Sequence, residues 1–100
     1  MKYFIFMSGL RGCYMPDVCE CYAFATRRDL KSFLLERASQ NGESIYVGLS
    51  LKDIAWFAAH AWRSGDAILP YGFKGQGKPY CYELSGTTRK DYLERNKDDN

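Results

Sequence analysis

The sequence predicts an α+β fold, a mostly antiparallel sheet of about four strands with two main helices and a short C-terminal helix. Three observations lead there. Residues 2–7 carry a run of apolar side chains that alternation does not interrupt, which marks a central strand covered on both faces. Two Ser/Thr-x-x-Asp patterns, Thr26 to Asp29 and Ser50 to Asp53, each stand in front of a segment with helical apolar spacing. The 100 residues suit one domain, with residues 1–96 folded and 97–100 a disordered polar tail.

The elements follow in order. Ser8 and Gly9 end the first apolar run, and the Gly- and Pro-containing stretch from Ser8 to Asp17 reads as a loop. Val18 to Ala25 reads as a second strand. The helix opened by Thr26 sets Leu30, Phe33, Leu34 and Ala38 on one face and stops at Asn41-Gly42. A short strand, Ser44 to Val47, comes next. The second helix runs from Leu51 to Ser64 and is closed by Gly65. Its apolar face holds Leu51, Ile54, Ala55, Ala58, Ala61 and Trp62. The opposite face holds Lys52, Asp53, His60, Arg63 and Ser64, with Trp56 among them. Ala67 to Leu69 is a weak strand, followed by a Gly- and Pro-rich loop to Pro79. Tyr80 to Leu84 is the last strand, and Thr88 or Thr87 caps a final helix ending near Asn96.

Composition excludes several classes. Lys plus Arg is 14 and Asp plus Glu is 12, a formal charge of +2, with 46% hydrophobic and 26% charged residues. Those values exclude a disordered chain, a coiled coil, a polybasic nucleic-acid arm and an acidic mimic of DNA. Aromatic residues reach 16%, enough to build a core and leave rings for a binding surface. No apolar run approaches the roughly 20 residues of a membrane span. The run 3–7 stops at Ser8-Gly9, and Arg11 in Leu10-Arg11-Gly12-Cys13 stands where a lipoprotein cleavage box needs a small residue. A cytoplasmic chain is therefore expected, with Cys13, Cys19, Cys21 and Cys81 reduced.

The chemical motifs each miss an essential part. Gly72 to Lys78 has the spacing of a phosphate-binding loop, but Pro79 replaces the hydroxyl residue that holds magnesium. A strand, rather than a helix, is expected to follow it. The segment reads instead as a Gly-rich hairpin loop presenting Lys74 and Lys78. Cys19-x-Cys21 and the wider Cys13-to-Cys19 spacing both miss the Cys-x2–4-Cys turn of a zinc site. His60 is the only histidine and has no cysteine near it in sequence. No carboxylate pair stands out as an acid–base dyad. No enzyme, metal or cofactor is expected.

The candidates for partner binding are Arg11, Tyr14, Trp56, His60, Arg63, Tyr71, Phe73, Lys74 and Lys78. Trp56 has Lys52, His60 and Arg63 at helical spacing around it, and Trp beside Arg is typical of binding hot spots. Packing of Trp56 under the 71–79 loop or against another helix, with the second helix sandwiched on both sides, is the competing reading. Arg11 and Tyr14 lie in one glycine-punctuated loop; Tyr71, Phe73, Lys74 and Lys78 lie in another. If the two loops meet at one edge of the sheet, they form a basic–aromatic patch.

In general character the chain resembles small phage-encoded accessory proteins, including the anti-CRISPR class. Size, cytosolic character and the lack of a catalytic signature carry the resemblance. It covers no defined stretch and transfers no residue role. It implies a stoichiometric inhibitor acting in the host cytoplasm on a bacterial defence complex of the CRISPR-Cas type. The near-neutral charge departs from the acidic members that mimic DNA, so binding would rest on shape and a few anchors.

The expected function is that of a non-catalytic protein-binding module. The alternative is a small single-stranded nucleic-acid-binding domain, in which Tyr and Phe stack on bases beside Arg11, Lys74 and Lys78. No membrane partner is expected. A homodimer through an apolar edge strand or the Trp56 face is compatible with the sequence.

Overall fold

A computed structural model of the chain describes residues 1–11, 16, 18–40, 49–72 and 77–97. Among these residues four strands and three helices follow in the order β1 (Lys2–Leu10), β2 (Val18–Phe24), α1 (Arg27–Gln40), α2 (Leu51–Ser64), β3 (Asp66–Tyr71), β4 (Tyr80–Thr87) and α3 (Arg89–Asn96). The strands form one antiparallel sheet in the order β2-β1-β4-β3. The α+β expectation holds. The strand expected at Ser44 to Val47 and the stop at Asn41-Gly42 lie outside the described residues, as does the tail from Asp98 on.

Each helix starts where the sequence supplies a cap. The Asp29 amide donates to Thr26 Oγ1 at 3.1 Å. In α2 both halves of the capping box form: the Asp53 amide donates to Ser50 Oγ at 3.0 Å, and the Ser50 amide to Asp53 Oδ2 at 3.1 Å. Thr88, not Thr87, caps α3 through the Asp91 amide at 3.1 Å. Gly65 ends α2 with φ of 88°, the left-handed conformation that glycine adopts without strain. Its carbonyl accepts from the Gly86 amide, and a Cβ on Gly86 would lie 3.1 Å from that oxygen. The end of α2 and β4 can approach this closely because Gly86 has no side chain.

The inner face of the sheet carries Phe4, Phe6, Phe24, Tyr82, Leu84, Ala67 and Leu69, all buried. α1 and α2 cover it. Phe33 of α1 meets Phe6 edge-on at 5.3 Å between ring centroids and Phe24 at 5.4 Å. α2 contributes Ile54, Phe57, Ala58 and Ala61. Leu51, expected on that face, is exposed in the first turn. Phe57 completes the face instead, three residues after Ile54 and four before Ala61. Glu20 shares the inner face, opposite Phe6, but stays exposed. It accepts from the Tyr22 hydroxyl and lies 3.8 Å from Arg37.

β1, β3 and β4 are longer than their local sequence suggests, while β2 stops one residue short of the expected Ala25. The expected loop from Ser8 is corrected: β1 continues through Ser8, Gly9 and Leu10. Ser8 pairs with Val18 on one side and Tyr82 on the other, and Gly9 with Cys81. Hydrogen bonding to neighbours outweighs the turn preference of two small residues. β3 likewise runs past Pro70, and β4 past Leu84 to Thr87. Pro70 is tolerated because β3 pairs with β4 alone among the described strands.

The outer face is built differently. Its rows are Cys21, Ile5, Ser85 and Asp66, then Cys19, Met7, Glu83 and Ile68. Of the described helices, α3 lies over it, against β2 and β1, with Tyr92 at 5.2 Å from the Tyr3 ring. No helix among the described residues is long and apolar enough to cross a membrane.

Candidate partner-binding surface

α2 buries one side against the sheet, so 100° spacing turns Lys52, Trp56, His60 and Arg63 away from it. Trp56 is 52% exposed. That answers the packing question: the ring does not lie in the core. Its indole stacks on His60, with ring centroids 5.1 Å apart and planes 13° from parallel. The stack holds two flat rings one helical turn apart, so little side-chain freedom remains to be lost on binding. Lys52 and Arg63 are exposed at either end of this strip. The arrangement is a rigid aromatic centre between two cations, suited to a surface that offers an apolar or planar group flanked by carboxylates.

An open depression of about 380 Å³ adjoins the Arg63 end and is lined by Lys2, Trp62, Arg63, Gly86 and Thr87, among others. Lys2 spans it. Its ammonium donates to the Trp62 carbonyl and sits 4.8 Å from the Trp62 ring centre. It thereby satisfies one of the carbonyls left open at the C-terminus of α2, where a cation is favoured.

The second expected patch is brought together in part. Arg11 donates from its amide to the Pro79 carbonyl at 2.9 Å and from Nη1 to the Lys78 carbonyl at 3.4 Å. The two loops thus leave the sheet side by side, with the Arg11 and Lys78 cations exposed. Tyr14, Phe73 and Lys74 lie outside the described residues. Tyr71 is a correction: it belongs to β3 rather than to a loop, is 5% exposed, and packs against the Tyr82 ring at 4.7 Å. Gly77, Lys78 and Pro79 lead into β4, so the element that follows them is a strand and not the helix a phosphate-binding loop opens.

Cys13 lies outside the described residues; the three described thiols lie on the outer face, away from the α2 strip. Cys19 is exposed, whereas Cys21 and Cys81 are partly buried. Burial pushes both partly buried thiols up from 9.0; at Cys21 the Arg95 guanidinium opposes this and Asp91 adds to it, while at Cys81 Glu83 adds to it and the Arg11 guanidinium opposes it. They stay protonated, and so poorly nucleophilic, near neutral pH. Among the described residues no three His, Cys, Asp or Glu side chains gather into a group that could hold a metal ion.

Ile68 and Leu93, 54% and 47% exposed, carried no signal in the sequence. Each sits on a short element, and its exposure depends on which neighbours fail to cover it. The chain matches no protein-family model, no curated protein and no solved structure.

Proposed function

We propose that this chain is a non-catalytic protein-binding module whose anchor is the Trp56–His60 stack on α2, framed by Lys52 and Arg63. The observation that carries this reading is the half-exposed, pre-stacked indole. A large exposed ring with Arg beside it is the composition that binding hot spots favour. A stoichiometric inhibitor of a bacterial defence complex works this way, by occupying a surface with a few strong anchors. The test is a tagged pull-down from bacterial lysate, treated with nuclease, with wild type and Trp56→Ala as parallel baits. A stoichiometric band that survives nuclease and disappears with Trp56→Ala supports the reading. On the purified pair, the substitution costs above about 2 kcal/mol of binding. Equal capture by both baits removes Trp56 as the anchor.

One observation favours the second reading, single-stranded nucleic-acid binding: Arg11 and Lys78 emerge together at one end of the sheet. Affinity for mixed oligonucleotides would then fall steeply with salt, and Arg11→Ala would weaken it. Absent or salt-insensitive binding sinks that reading.

A further inference from the structure

β1 is apolar from Tyr3 to Met7 and calls for cover on both faces. α1 and α2 supply it on the inner face. On the outer face α3 lies against β2 and β1, and Ile68 of β3 stays 54% exposed. Beside Ile68 the register sets Glu83 on β4, and Asp66 lies two residues away on the same face. The β3–β4 half therefore presents an apolar residue between two carboxylates. α3 presents Leu93, 47% exposed, with the cations Arg89 and Lys90 exposed one turn before it on the same side and Glu94 exposed after it.

We propose that the outer face docks a second copy of this chain about a twofold axis. Each α3 then lies between two sheets, covering β1 and β2 of its own copy and β3 and β4 of the other. Leu93 meets Ile68 of the second copy, while Arg89 and Lys90 face its Asp66 and Glu83. The twofold makes the same contact twice, so one surface is its own complement. Charge complementarity selects this occupant, because both halves of the match are already present on one chain. A stable dimer needs roughly 800 Å² from each copy, about an eighth of the chain's 6629 Å² of accessible surface. The surface is separate from the α2 strip, which stays open in the dimer.

Sedimentation velocity and light scattering on the full chain test this, at low and high salt and up to roughly 0.1 mM. The expected mass is twice 11.5 kDa, with self-association weakened by salt. Ile68→Asp gives a monomer. Asp66→Lys and Arg89→Glu each weaken self-association roughly tenfold, and mixing the two charge-reversed chains restores part of the loss. All three positions are exposed, so the folded monomer tolerates the changes. Trp56→Ala leaves the dimer intact. A wild-type monomer throughout this range overturns the proposal. So does a dimer that persists in Ile68→Asp, or one that Trp56→Ala abolishes.

Discussion

The two faces of the sheet share one backbone and differ in how completely they are covered. Phe4, Phe6, Tyr82 and Leu84 on the inner face are fully buried beneath two capped helices. Ile5, Met7, Cys21 and Glu83 on the outer face are partly exposed; the described helix on this side, α3, lies against β1 and β2 and buries none of its own residues completely. The contrast runs along single strands: Phe6 and Met7 are consecutive, yet one is sealed and the other is not. Stability is concentrated on the face that is closed within one chain. The other face leaves Ile5, Met7 and Ile68 partly or largely exposed.

The sharpest way to break the contrast is to shorten neighbours. Phe6→Ala removes a sealed ring and should cost about 3–5 kcal/mol in urea unfolding. Met7→Ala should cost about 1–2 kcal/mol, because its site is already part-open. Equal losses would show that the outer face is as well packed as the inner. Ser50→Ala should cost about 1 kcal/mol by breaking the capping box of α2, with no change in labelling of the outer-face thiols.

A smaller effect comes from pH. The folded chain holds the Cys21 and Cys81 protons more tightly than the unfolded chain, whose thiols titrate near 9.0. Stability is therefore level below that value and falls as pH rises past it. A Cys21→Ser, Cys81→Ser double variant should flatten the decline in a pH series of thermal unfolding. If wild type and variant fall together, the outer-face thiols are not the cause. The smallest change is expected at Trp56→Ala, within about 0.5 kcal/mol of wild-type stability, since that ring faces solvent.

The parts of the fold legible in sequence are those governed by contacts a few residues apart. Thr26, Ser50 and Thr88 announce the helices because a cap acts within one turn, and Gly65 marks an end for the same reason. Trp56 falls among the polar residues of α2 by spacing alone, and it is exposed. What was hidden depends on distant partners. Ser8 and Gly9 read as a turn until β2 and β4 pair with them. The alternation Ala67, Leu69, Tyr71 continues through Pro70, but a proline reads as a stop unless one knows the strand is paired on a single side. The meeting of Arg11 with Lys78 and Pro79 likewise depends on the pairing of β1 with β4.

The position of β1 also sets the tempo at which this molecule can form. Its Tyr3 pairs with Thr87, from the opposite end of the domain. Contacts that distant are slow to find, which places folding toward the millisecond-to-second range of sheet-rich domains. The β1–β2 hairpin can zip early, since its strands are sequence neighbours. Until β4 arrives, however, that hairpin carries Phe4 and Phe6 beside an unpaired strand edge, the kind of surface that recruits aggregation or a chaperone. A nascent chain would remain vulnerable until β4 has emerged, and substitutions that slow β4 should lower yield before they lower equilibrium stability.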